Sequence, residues 1–310
     1  EIELLWNSSM QVNDVAVSND GNYIAAVNNT GLHYFASNDS NPRWQHAAYG
    51  TPIAVAISAD GEYVVVGDNS GYIHYFNDSK TATGWRQSPT WSSAYLYGPV
   101  ERGTLDISAD GEYVAIGGTG PNMYYYANCT ARSGSDQHAT WTDYLSYDVR
   151  VVDISPDGKY VAAGGTQQGG GFVAFYKDAD NVTSSPNPPN WYATSSIAGS
   201  IRDLALSNDG YAVVAIDIAY GSLYYWANAT TLSEDPNATW TNDGAFGSVD
   251  MNADGDNVVA GGGVVPLSLH FWTNARELEG TQTENWTRLE TAYVLDVAIS
   301  DDGSLIAASG

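Results

Sequence analysis

One short turn recurs seven times along this chain and fixes its period. Ser or Asn, any residue, Asp and Gly stand at 18–21, 58–61, 108–111, 155–158, 207–210, 252–255 and 300–303, ending on Gly21, Gly61, Gly111, Gly158, Gly210, Gly255 and Gly303. Successive glycines are 40, 50, 47, 52, 45 and 48 residues apart. Asp-Gly is a hairpin signal, because Gly tolerates positive φ and the carboxylate accepts hydrogen bonds from turn amides. A Ca²⁺ loop needs its Gly six positions in, and Asn252, Asp254 and Asp256 surround a Gly that comes too early.

Each period reads as four strands. A short apolar strand a precedes the turn, as in Val15, Ala16, Val17 and Leu204, Ala205, Leu206. Strand b follows without polar alternation, as in Tyr160, Val161, Ala162, Ala163, which suits burial on both faces. Strand c is aromatic, as in Met123, Tyr124, Tyr125, Tyr126. Strand d carries Trp44, Trp91, Trp141, Trp191, Trp240 or Trp286, 12 to 17 residues before the next turn. A tryptophan at one repeated position points to packing between repeats. Four strands in 40 to 52 residues is the period of a propeller blade. The expected fold is all-β, one domain over residues 1–310: a seven-bladed β-propeller.

The pattern resembles the WD-like and YVTN-type propeller repeats of prokaryotic, especially archaeal, surface proteins; Ser155, Pro156, Asp157, Gly158, Lys159, Tyr160, Val161 is the closest copy. The resemblance covers essentially the whole chain and implies fold far more strongly than function. The Trp-Asp and Gly-His signatures of eukaryotic WD repeats are absent, so their usual scaffold role does not carry over.

The last repeat falls short. Trp6 has strand d spacing, so the strand holding Ile2, Leu4 and Trp6 is expected to close the last blade. Yet Gly303 to the C-terminus plus Glu1 to Gly21 amounts to 28 residues, against 40 in the shortest complete repeat. Strand c is unaccounted for, which leaves Leu305, Ile306 and Ala307 as an open edge. The tail continues beyond Gly310, or a neighbour donates a strand, or the N-terminal strand pairs directly with strand b.

Composition narrows the partners. A net charge of -25 with 11 Lys and Arg argues against nucleic acid and anionic membranes. There is no apolar run of membrane-spanning length and no signal-peptide pattern at the N-terminus, and the single Cys129 has no partner for a disulfide. Asn-x-Ser/Thr sequons at Asn7, Asn28, Asn38, Asn77, Asn128, Asn181, Asn228, Asn237 and Asn285 point to N-glycans on an exported chain. Asn38, Asn77, Asn128, Asn181 and Asn228 all follow strand c, and so share one face with the a–b turns. Asn is also a favoured turn residue.

Motifs for catalysis or cofactor binding are absent, and no cofactor is expected. The histidines are His33, His46, His74, His138 and His270; the three on strand c, His33, His74 and His270, belong to different blades and should not meet at a metal. Asp14, Asp106, Asp153, Asp203, Asp250 and Asp296 share strand a parity and should line the axial channel. They are expected to cap neighbouring amides, with a cation or water column as the alternative. The leading functional expectation is a non-enzymatic structural or adhesive glycoprotein of the cell surface, a subunit of a surface layer or filament that self-associates or binds another surface protein. The alternative is a protein- or glycan-binding module of a larger surface protein; the third is a propeller enzyme.

Overall fold

The computed structural model describes residues 9–47, 50–145, 147–262, 268–289 and 293–310, and in them each repeat forms its own antiparallel sheet. The turns start the sheets. Ser18 Oγ donates to Asp20 Oδ1 at 2.7 Å and accepts the Tyr23 N–H at 3.0 Å, while Asp20 accepts the Asn22 N–H. Ser58, Ser108, Ser155, Ser207 and Ser300 bond the turn Asp in the same way. The closing glycine is needed twice over. Gly111 has φ +76°, and a Cβ there would lie 2.3 Å from the ring of Tyr63 in the previous repeat.

In the fourth sheet, strands a to d are Val149–Ile154, Val161–Gln167, Gly170–Tyr176 and Trp191–Ala193. The first, second, third, fifth and sixth sheets repeat this a-b-c-d order. The seventh contains two strands among the described residues, Asp296–Ile299 and Ile306–Ser309. Ile2, Leu4 and Trp6, expected to close it, lie outside the described residues.

The core lies between the sheets. Trp141 is fully buried, stacks on Tyr125 of its own sheet at 4.9 Å and meets Tyr176 of the next at 5.2 Å. Its indole N–H donates to the Ala179 carbonyl of that next sheet at 3.0 Å. Trp44, Trp91, Trp191 and Trp240 do the same toward Ser79, Cys129, Ala229 and Ala275. Cys129 is therefore inside the joint between the second and third sheets, completely buried. Trp286, at the same position of the sixth sheet, is 39% exposed.

Three sheets carry a fifth strand that periodicity did not indicate. Gly84–Trp85 runs parallel to Trp44–Ala47, Gly134–Gln137 to Trp91–Ser93, and Gly280–Thr281 to Trp240–Asn242. Each comes from the c–d connection of the following repeat and straps it to the sheet before. Two- to four-residue segments have no alternation to read.

Candidate recognition face and axial channel

Strand order gives the disc two different ends. The a–b turns and c–d connections share one end, and the b–c turns and d–a loops share the other. The a strands surround the axis.

The six channel aspartates stand in two tiers. Asp106, Asp153 and Asp250 lie two residues before the turn's Ser or Asn, and Asp14, Asp203 and Asp296 four before it. That difference is roughly 6–7 Å along a strand. Oδ2 of Asp14, Asp106, Asp153, Asp203 and Asp250 accepts the N–H of Val55, Ile154, Leu206, Val249 and Ile299 respectively, at 2.7–3.0 Å. Each partner amide is on strand a of the next sheet, so the carboxylates link sheets round the axis. Asp296 instead accepts from Ser248 Oγ and its own Val297 N–H.

Burial dominates the electrostatics of this ring. It pushes Asp203 up to about 6 and Asp250 up to about 7, against the opposing amide bonds. Burial also raises Asp14, Asp106 and Asp153, and the neighbouring Asp106 carboxylate raises Asp153 further. Asp106, Asp153 and Asp250 line a hollow of about 390 Å³ that opens between the a–b turns. Among the described residues no three His, Cys, Asp or Glu side chains are placed to hold a metal ion.

One constellation has the residue types of a charge relay. His74 Nδ1 lies 2.9 Å from Ser92 Oγ, and its Nε2 is 3.4 Å from Asp68 Oδ2. The fifth sheet shows what that aspartate does. Asp217 accepts the N–H groups of Ala219, Tyr220 and Gly221 while the Tyr224 hydroxyl, in place of the histidine, donates to it. Asp68 likewise accepts the Ser70 and Tyr72 N–H groups, so both aspartates close b–c turns. The sequence reading named His46 but did not bring it near His74, whose ring lies 6.0 Å away across the first two sheets. Burial lowers the pKa of His33, His46 and His270, which favours neutral rings. His138 is exposed in the c–d connection of the third repeat, where it shares a hollow with Tyr95 and Tyr97.

Trp85, 80% exposed, stands on the strap of the second repeat, and the exposed tyrosines among the described residues gather at the end of the b–c and d–a loops. Tyr72, Tyr95, Tyr97, Tyr144, Tyr147, Tyr220 and Tyr293 are exposed, Tyr97 by 74%, and all stand at this end. Tyr95 touches both Tyr72 and Tyr97, with ring centroids 5.8 and 6.3 Å apart. Three arginines surround the channel mouth here: Arg102 reaches Asp14 at 3.7 Å, Arg150 donates to Thr166 Oγ1 at 2.9 Å, and Arg202 lies over Gly247. Tyrosine signalled strand c in the sequence, so the loop tyrosines did not stand out.

The sequons are mostly at the opposite end. Asn38, Asn77, Asn128, Asn181 and Asn228 follow strand c, and Asn237 and Asn285 precede strand d, all at the turn end. Asn28 is in the b–c turn of the first sheet, and Asn7 lies outside the described residues. Asn128 and Asn228 have φ 55° and 56°, the position held by Asp78, Asp178 and Asn274 elsewhere. That left-handed conformation alone favours Asn or Asp. Asn285 also accepts the Thr273 N–H.

No family model and no curated protein matches this chain. Among solved structures, it is similar to a chain in the crystal structure of the mitotic checkpoint complex, with a TM-score of 0.71 at 15% identity, covering 96% of this chain and 83% of that one. At that identity the likeness shows the fold alone: the chain is an all-β, WD-like propeller.

Proposed function

We propose that this propeller is a non-enzymatic recognition module of a cell surface, which binds a protein partner through its loop end and carries N-glycans on its turn end. The observation that carries the reading is the confinement of the exposed tyrosines, among the described residues, to one end. Tyrosine supplies contact area at low entropic cost and is enriched in protein interfaces. The sequons cluster at the other end, where glycans would leave the tyrosines accessible.

Two measurements test it. Beads coated with the protein should adhere to cells of the source culture, and Tyr95→Ser, Tyr97→Ser, Tyr220→Ser and Tyr293→Ser together should abolish adhesion while Asp39→Asn at the turn end leaves it intact. Equal adhesion by both variants overturns the recognition face. Intact mass before and after deglycosylation should differ, and an unmodified mass removes the glycan part.

A second reading, assembly into a layer or filament, is favoured by the exposure of Leu305 and Ala307 in the seventh sheet. Donation of a strand by a neighbouring copy would cover that edge. Electron microscopy of purified protein should then show regular polymers, and dispersed monomers count against it.

A further inference from the structure

The loop end contains a hollow of about 380 Å³ between the fifth, sixth and seventh sheets, lined by Arg202, Ile218, Tyr220, Phe246, Tyr293 and Leu295 among others. We infer that this hollow seats an acidic peptide segment, with a carboxylate on Arg202 and its apolar neighbours between Tyr220 and Tyr293. This deepens the loop-end reading and rests on it.

The walls are fixed before any ligand arrives. Asp217 clamps the turn that carries Ile218 and Tyr220, and Gly221 O accepts the Phe246 N–H of the sixth sheet at 3.0 Å. On the other side Val294 is buried against Gly261, and the Leu295 N–H donates to Ser309 O at 2.8 Å. Preformed walls reduce the ordering cost of binding.

Arg202 decides the sign of the ligand. It is the only charged residue of the lining among the described residues. Among the described residues its guanidinium has no hydrogen bond or ion pair, whereas Arg102 and Arg150 each have one. A Cβ on Gly247 would stand 3.8 Å from its Cζ, so the group lies over bare backbone with its donors free. Such a fork matches a carboxylate in bidentate geometry.

The walls decide between peptide and saccharide. Ile218 and Leu295 are exposed by 57% and 62%, Tyr220 by 72% and Tyr293 by 59%. Aliphatic and aromatic walls suit peptide side chains. Carboxylate and amide side chains, which pair well with sugar hydroxyls, are absent from the lining among the described residues.

Fluorescence anisotropy with the labelled peptide Gly-Phe-Glu-Leu-Gly, its Gln counterpart and tetragalacturonate as competitor tests the inference on the intact chain. The Glu peptide should bind about tenfold more tightly than the Gln peptide, and added salt should narrow the gap. Arg202→Gln should erase the difference. Gly247→Asp, which sets a carboxylate beneath the guanidinium, should weaken the Glu peptide alone. Equal binding of the two peptides, binding of neither at millimolar concentration, or indifference to Arg202→Gln overturns the inference, and recognition of tetragalacturonate without the peptide reassigns the site to acidic saccharide. If the inference fails while the tyrosine variants still lose adhesion, the recognition face stands; if adhesion is also unaffected, both fall.

Discussion

Asp203 and Asp250 set an unusual pH dependence. Their carboxyls are pushed up to about 6 and about 7 from an ordinary value of 3.8, so the folded chain binds these protons more tightly than the unfolded chain. Their contribution to stability is complete only below the unfolded value of 3.8 and is lost progressively as pH rises from there through 6 to 7. The turn carboxylates Asp60, Asp157 and Asp302 are lowered and lose their contribution only at still lower pH. Thermal melts should therefore show a higher Tm at pH 5 than at pH 8. Relief of the overall negative charge acts in the same direction, so the control is Asp250→Asn, which keeps an acceptor for the Ile299 N–H and should flatten the profile. Gly111→Ala should cost about 2 kcal/mol, through strain at φ +76° and collision with Tyr63, read as a shifted urea midpoint. The period and parity that place the aspartates on one side were legible in the sequence. That five of the six reach across to the next sheet's amide was not, because the spacing between sheets is a property of the closed packing.

At the scale of elements, the tryptophans are the joints between neighbouring sheets. Trp141→Ala removes a buried ring, its stacked contact with Tyr125, its tilted contact with Tyr176 and an indole hydrogen bond, and should destabilise by about 3–5 kcal/mol in urea unfolding. Trp286→Ala should cost roughly 1 kcal/mol or less, since that ring is 39% exposed and, among the described residues, stacks on Phe271 alone. Equal costs would mean the sixth joint is built like the others. One tryptophan per period announced this role from the sequence. The straps were hidden, and so was the contact between the fourth and fifth repeats, where Asp235 accepts the Thr194 and Ser195 N–H groups, a pairing of isolated polar residues with no pattern of their own.

For the whole molecule, the turns form a second ring of links. Asn19 N–H donates to Ala59 O, Ala59 N–H to Ala109 O, Ala109 N–H to Pro156 O, Asn208 N–H to Ala253 O, and Ala253 N–H to Asp301 O. Pro156 has no N–H to pass on, so the fourth-to-fifth link is missing. Sheets that touch chiefly their neighbours make stability a sum of local and nearest-neighbour terms. Amide exchange should then be fastest in Asp296–Ile299 and Ile306–Ser309, where strands c and d are missing among the described residues, and slowest in the third and fourth sheets. Uniform exchange across all seven sheets would instead indicate one cooperative unit. The two-ended character of the disc was half legible: the sequence placed five sequons at one end, but the tyrosines at the other came from loops of irregular length.

The buried Cys129 makes one of these joints observable on its own. Its carbonyl accepts the Trp91 indole N–H, its Sγ faces the Tyr126 carbonyl at 3.5 Å, and burial pushes its thiol pKa upward, so it should resist alkylation while the second and third sheets are together. With no other cysteine in the chain, the rate of labelling becomes a stopwatch for a single opening event, free of background from any other site.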